Sequence, residues 1–153
     1  MINLRPRLLV IAERIPHGAR VVDVGTDHGK LPLWLLQNGV MNDVVGIDIA
    51  EAPLAKARLL AEKHGVGLDL RKSDGLQNII ASDVDTIVIA GMGGETMIDI
   101  LAAAPWSMTK LLLLQPMSRS ERLLAWLNGQ KLVVNEMIVQ ESRRKFYLFE
   151  AKP

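Results

Sequence analysis

The chain has 153 residues, which fits one domain with room for a substantial core. Apolar residues make up 49% and charged residues 23%, which excludes a disordered chain, and a net charge of +1 excludes a globally basic nucleic-acid binder, so any such surface must be a local patch. Cysteine is absent, which removes disulfides, thiolate nucleophiles and cysteine-ligated zinc, and the three histidines stand singly, so no metal is expected.

Residues 1–7 lack the apolar run of a signal peptide, and no apolar stretch approaches membrane-span length. The expected setting is cytoplasmic, without a membrane partner, for a monomer or weak homodimer. Leu4, Leu8, Ile11 and Ile15 recur at helical spacing and predict an amphipathic helix within residues 1–16, ended by Pro16-His17-Gly18. The arginines between them, Arg5, Arg7 and Arg14, suit either a solvated outer face or contacts to phosphates.

Val21-Val22-Asp23-Val24 is a buried strand, Gly25-Thr26-Asp27-His28-Gly29 a turn, and Lys30 to Leu36 an apolar helix. This is the first βα unit of a doubly wound sheet. A dinucleotide loop needs G-x-G-x-x-G, with bare N–H groups facing a pyrophosphate. Here Asp27 holds the middle glycine position and Asp23 lies two residues before Gly25, and two carboxylates would repel a pyrophosphate. They suit a cation such as S-adenosylmethionine, which carries a sulfonium and an ammonium. The turn alone leaves other Rossmann-like ligands open.

Asn38-Gly39 and Asn42-Asp43 punctuate the chain before the second strand, Val44 to Asp48. Asp48 falls about twenty residues beyond the glycine loop, where a carboxylate in Rossmann-type sites accepts the ribose hydroxyls of an adenosine. With Ile49 beside it, it can equally start the helix that follows from Pro53 to His64. Leu68 to Arg71 is a short third strand, and the turn after it, Ser73-Asp74-Gly75-Leu76, offers an acid for the adenine amine and an apolar cover for the ring, or simply a turn. Asp83 to Ala90 is the fourth strand; Gly91-Met92-Gly93-Gly94 then forms a glycine-rich end where backbone can approach a ligand. Glu95-Thr96 starts another helix. Leu111 to Leu114 is the fifth strand, Gln115-Pro116-Met117-Ser118-Arg119 a turn, and Glu121 to Asn128 a helix. Lys131 to Gln140 and Phe146 to Ala151 close the chain as an antiparallel hairpin. The expected fold class is therefore α/β: a Rossmann-like, seven-stranded, mostly parallel sheet with a C-terminal antiparallel hairpin and helices on both faces, all within one domain over 1–153. That strand order is the one expected of class I methyltransferases.

Several of these stretches together resemble a specific family. Asp23-Val24-Gly25-Thr26-Asp27-His28 before Leu31-Pro32, Ser73-Asp74-Gly75-Leu76, Ile89-Ala90-Gly91-Met92-Gly93-Gly94 and Leu114-Gln115-Pro116 are similar to the G-S-D-H-A-Y-L-P loop, I-A-G-M-G-G strand end and L-Q-P-N turn of the bacterial tRNA (adenine-N1)-methyltransferases, which act at position 22 of tRNA. The resemblance spans nearly the whole chain. It implies S-adenosylmethionine as donor and tRNA as partner, with Asp23, Gly25, Thr26, Asp27, Asp48, Ile49, Ser73, Asp74, Gly75, Leu76, Ala90, Gly91, Met92 and Gly93 around the cofactor. Gly29-Lys30 stands where the family has Ala-Tyr, Met117 where it has Asn, and Asp48 where it commonly has Glu. The family also carries a C-terminal coiled-coil-like extension without counterpart here, so a catalytic domain or a compact relative is expected.

Methyl transfer to adenine N1 uses the base's own lone pair, and the product is cationic until an N6 proton leaves. Asp27 is the candidate for stabilising that charge or taking that proton, its alternative role being a contact to the cofactor ammonium. His28 orients the loop or touches the substrate. Arg5, Arg7, Gln115, Pro116, Met117 and Arg119 are the candidate acceptor-binding residues, with Arg14, Arg20, Arg122, Arg143, Arg144 and Lys145 as further phosphate contacts. Methylation of a small molecule or another RNA, a non-enzymatic cofactor- or RNA-binding module and, more distantly, a nicotinamide-dependent oxidoreductase are the other readings.

Overall fold

The computed structural model describes residues 1–39 and 43–153. Asn42, read as part of the punctuation before the second strand, lies outside the described residues. The elements follow in the order α1 (Pro6–Arg14), β1 (Arg20–Val24), α2 (Lys30–Gln37), β2 (Asp43–Asp48), α3 (Glu51–Lys63), β3 (Asp69–Lys72), β4 (Thr86–Gly93), α4 (Gly94–Ala102), β5 (Leu111–Ser118), α5 (Ser120–Asn128), β6 (Val133–Glu141) and β7 (Arg144–Lys152). They form one seven-stranded sheet in the order β3-β2-β1-β4-β5-β7-β6. The first five strands are parallel; β7 runs antiparallel to β5, and β6 is the outer strand of the hairpin. None of the described helices is long and apolar enough to cross a membrane.

Side chains alternate across the sheet, and each face carries its own core. Val22, Val24, Ile47, Ile87, Ile89, Leu112, Leu114 and Phe149 pack against Met97 and Leu101 of α4 and Leu123 and Leu127 of α5. Val21, Val44, Val88, Leu113 and Leu148 pack against Ile11, Ala12 and Ile15 and against Leu31 and Leu35 of α2. The continuous apolar runs that read as buried parallel strands thus have helices on both sides. Asp23 is the exception within β1: it occupies a buried position between Val22 and Val24.

Strand ends differ from the sequence reading in an informative way. Residues 81–83 form a short 3-10 turn, and β4 starts only at Thr86. At the other end, Gly91-Met92-Gly93, expected as a glycine-rich end beyond the strand, and Gln115-Pro116-Met117-Ser118, expected as a turn, continue β4 and β5 as paired strands with register irregularities at Met92 and Gly93. Proline is tolerated there because the pairing is already broken by the bulge. The chain passes from β4 into α4 with no loop between.

Candidate active site

The strand order reverses between β1 and β4, and in open α/β sheets ligands bind in the crevice at the carboxyl ends of the strands flanking such a point. A cavity of about 910 Å³ lies there, bounded by the ends of β1, β2 and β4, the turn after β3, the start of α1 and one side of α4. Its size is at the upper end for small-molecule sites.

The floor is built by the loop after β1. Gly25 and Thr26 both donate their backbone N–H to the Ile47 carbonyl, at 2.9 and 2.8 Å, which folds the loop over β2. Gly46 makes that fold possible: a Cβ there would meet the Thr26 hydroxyl at 2.8 Å. Gly25 has φ +71°, and a Cβ on it would collide with the Met92 methyl. The positive φ is what requires the glycine, and any Cβ would in addition push the flexible end of Met92 aside. Gly29, at φ +72°, precedes α2 and lies against Ala57 of α3, where a Cβ would meet Ala57 at 2.9 Å. Asp27 itself takes a left-handed conformation at φ 55°, which aspartate tolerates better than most residues.

Five carboxylates line the cavity: Asp23, Asp27, Asp48 and Asp74 at the strand ends and the turns after them, and Asp99 on α4. Asp23 is buried and accepts a hydrogen bond from the Thr26 hydroxyl at 2.8 Å. Burial, opposed by that hydrogen bond and reinforced by the charges of Asp48 and Asp27, pushes its carboxyl up to about 7. Asp48 holds the loop, accepting N–H bonds from Asp27 at 3.3 Å and from Ala50 at 3.1 Å. Asp27 is exposed, and its carboxylate lies 3.6 Å from His28 Nε2. Among the described residues no arginine or lysine forms an ion pair with these acids, although Arg5, Arg7 and Lys30 also border the cavity. Such a set fits a ligand with positive charge and does not fit a bare pyrophosphate.

Asp23, Gly25, Thr26, Asp27, His28, Asp48, Ile49, Ser73, Asp74, Gly75, Leu76, Ala90, Gly91 and Met92 all border the cavity, as do Arg5 and Arg7. Gly93, Gln115, Pro116, Met117 and Arg119 stand outside its wall. Gly93 lies against Ser118, and Gly94 lies so close to the Arg119 carbonyl that no Cβ fits; these two glycines let β4 and β5 approach each other and leave no surface for a ligand. Gln115 and Pro116 are buried within β5. The Ser73 hydroxyl is also engaged, donating to the Gly75 carbonyl and accepting from the Asn78 N–H, so its service is to shape the turn.

The arginines separate as well. Arg20 pairs with Asp85 at the amino end of the sheet, far from the cavity by topology, and Arg122 pairs with Glu95. Arg7 is held by Gln115 Oε1 at 3.0 Å and by Glu141 of the hairpin, and so closes one cavity wall as a strut between α1, β5 and β6 instead of standing free for phosphates. Thr96, Asp99, Ile100 and Trp106 form a further wall that sequence reading missed. Ile100 has a weak sequence signal as one of the apolar positions of an amphipathic helix, but nothing local tells that it faces Gly75.

A family profile described as a methyltransferase domain matches residues 4–149. The tRNA (adenine(22)-N(1))-methyltransferase of Bacillus subtilis is 32% identical over 150 residues, covering 95% of this chain and 63% of that protein. The crystal structure of the B. subtilis M1A22 tRNA methyltransferase TrmK superposes with a TM-score of 0.92 at 30% identity, over 99% of this chain and 67% of that one. A structure of Streptococcus pneumoniae Sp1610, a putative tRNA (m1A22) methyltransferase, in complex with S-adenosyl-L-methionine, gives a TM-score of 0.90 at 30% identity over 99% of this chain and 73% of that one. The chain spans less than two thirds of the length of the curated relatives it matches, 63% of the B. subtilis protein and 59% of one from Mycoplasma pneumoniae. With its strand order, acid-lined cavity and matched residues, the chain belongs to the methyltransferase domain family, alongside the tRNA (adenine-N1)-methyltransferases.

Proposed function

We propose that the chain is one methyl-transferring domain that binds S-adenosylmethionine in the cavity at the β1–β4 switch point and methylates N1 of an adenine in tRNA. The observation that carries the cofactor reading is the set of strand-end carboxylates, Asp23, Asp27, Asp48 and Asp74, around one cavity, none of them paired with an arginine or lysine among the described residues. The relatives' names support the acceptor, at position 22 of tRNA.

When bound, the cofactor supplies an electrophilic methyl on a cationic sulfur. Asp48 would accept the ribose hydroxyls and Asp74 the exocyclic amine of the adenine, with Ile49, Leu76 and Ile100 as the apolar cavity residues available to its ring. Asp23, under the loop, supplies negative charge at the ammonium end and ionises more readily once a cation lies over it. Asp27 and His28, exposed at the mouth, are left for the acceptor: Asp27 balances the charge that develops on the adenine ring and takes the departing N6 proton, and His28 holds the Asp27 carboxylate. Adenine N1 lies on the Watson–Crick edge, so the base must enter unpaired.

Methyl transfer from radiolabelled cofactor to tRNA, followed by nuclease digestion and identification of the modified nucleoside, tests this directly. 1-Methyladenosine is expected. Cofactor binding with no methyl incorporation into any RNA would overturn the enzymatic reading.

A further inference from the structure

The terminal hairpin carries the chain's single tyrosine at its surface. Tyr147 of β7 pairs with Ile138 of β6, so both side chains project from the same face. Ile138 is 60% and Tyr147 39% exposed, while Phe149, the next residue on that face, is buried in the core that α5 covers. The Tyr147 ring lies near-parallel to that of Phe149 and offset from it, with centroids 6.2 Å apart and planes at 17°, so the buried Phe149 orients a phenol that remains part exposed. Lys145 lies on the same face, one position nearer the turn, and Arg143 occupies the turn itself.

The hairpin tip stands at the same edge of the sheet as the cavity. Because β7 runs antiparallel to β5, with Leu114 opposite Phe149, the Arg144 end of β7 extends past the carboxyl end of β5. Glu141, at the tip, clasps Arg7, which lines the cavity wall. Arg119, at the start of α5, emerges from the carboxyl end of β5 at this edge too. Among the described residues, Arg119, Arg143, Arg144 and Lys145 make no ion pair, whereas Glu141 is neutralised by Arg7. Glu136 pairs with Phe149, farther from the tip, and Glu121 lies in the first turn of α5; of the unpaired cations, Lys145 shares the Tyr147 face and Arg143 the turn, while Arg144 lies over Phe146 on the opposite face.

From these observations we infer that the outer face of the hairpin tip, Tyr147 with Ile138, Lys145 and Arg143, is a docking platform for the unpaired RNA that flanks the acceptor base. This rests on the reading of an RNA acceptor. A pre-positioned aromatic ring bordered by cations is what a single-stranded nucleic acid requires, since every base has a face to stack and every linkage a charge to meet. Protein-contact patches instead tend to be depleted in lysine. A base lowered into the cavity beside Arg7 leaves its neighbours at this rim, and Tyr147 is the aromatic side chain of the hairpin free to receive one.

The test uses the full chain with two probes, fluorescein-labelled tRNA and a labelled oligoadenylate, in equilibrium binding at several salt concentrations. Tyr147→Ala is expected to weaken both about tenfold, in line with the loss of one stacked base, and Tyr147→Phe to bind like the parent. Tyr147→Leu, which keeps apolar contact with Phe149, is expected to hold the melting temperature yet bind as weakly as Tyr147→Ala. Arg143→Ala with Lys145→Ala is expected to make the slope of log K against log salt shallower by about 1.4, two single-strand phosphate contacts. Calorimetric binding of S-adenosylmethionine is expected to stay unchanged in all four. If the parent binds oligoadenylate through Tyr147 but methylates no RNA, the acceptor reading fails and the platform stands. If the parent binds neither probe, or Tyr147→Ala and Tyr147→Leu bind like the parent, the platform is overturned. It is overturned equally if Ile138→Asp abolishes a concentration-dependent self-association in sedimentation while RNA binding persists, because the patch is then a contact between copies.

Discussion

Asp23 provides the most direct check on the electrostatics of the site. Its carboxyl is raised from an ordinary value of 3.8 to about 7, with burial the main cause. A group that holds its proton more tightly in the folded state stabilises the fold at low pH, and that stability is lost as pH rises through the folded value. Without ligand, the Asp23 contribution is therefore complete below about pH 4, declines between there and pH 7, and levels off above. The gap between the two values corresponds to about 4 kcal/mol, which for a domain of this length is roughly 10 °C in melting temperature. Asp23→Asn keeps an acceptor for the Thr26 hydroxyl but cannot ionise. Urea denaturation of both proteins from pH 4.5 to 8.5 isolates the effect as a difference, since the other titrating groups are shared. The variant is expected to gain stability over the parent as pH rises, by about 3 kcal/mol across that window. Binding of S-adenosylmethionine has the opposite dependence: the parent's affinity rises towards pH 7 as the cation favours ionised Asp23, with proton release, and the variant's is flat. A stability difference that does not change with pH would refute the assignment of a protonated, desolvated Asp23.

Other consequences are equally accessible. Asp48→Ala removes a charged acceptor for two ribose hydroxyls and is expected to weaken cofactor binding about a hundredfold or more by calorimetry. Gly25→Ala forces a left-handed backbone at φ +71° and a clash with the Met92 methyl, for about 2–4 kcal/mol of destabilisation together. Combined with Met92→Ala it is expected to cost less than the sum of the single changes by about 1 kcal/mol, and strict additivity in denaturation experiments would argue against the contact. Gly94→Ala meets the Arg119 backbone, whereas Gly93→Ala meets the Ser118 hydroxyl at 3.0 Å, which can rotate away. Thermal melting is expected to show Gly94→Ala as clearly the more damaging of the two. Glu141→Gln, which removes the charge that pairs with Arg7, is expected to raise the KM for tRNA with little change in cofactor affinity, read by steady-state kinetics.

Much of this architecture is local in origin. Uninterrupted apolar runs such as Val21-Val22 and Leu111 to Leu114 can only be strands covered on both faces, and the alternation with amphipathic helices forces a parallel sheet. The acids Asp23, Asp48 and Asp74 were legible for the same reason: each ends a strand or follows it, and a doubly wound sheet gathers its strand ends at one edge. A motif, however, does not say what its residues touch. Gly91-Met92-Gly93-Gly94 reads as one ligand-facing stretch, yet only Gly91 and Met92 border the cavity, while Gly93 and Gly94 are set by the closeness of β5. Gln115 and Pro116 likewise resemble an exposed turn and are buried in a strand, because the bulge in β4 lets β5 run on beside it.

By itself, then, the sequence determined the elements, their order and the row of acids at one edge of the sheet, because hydrophobic periodicity and glycine placement act over a few residues at a time. Only the tertiary structure decided the rest. Asp23 becomes a perturbed acid because neighbouring elements exclude water from it, and Arg7 becomes a wall of the cavity because Glu141, 134 residues later, folds back to hold it. Burial and pairing across such separations depend on how the elements pack, and no local pattern records that.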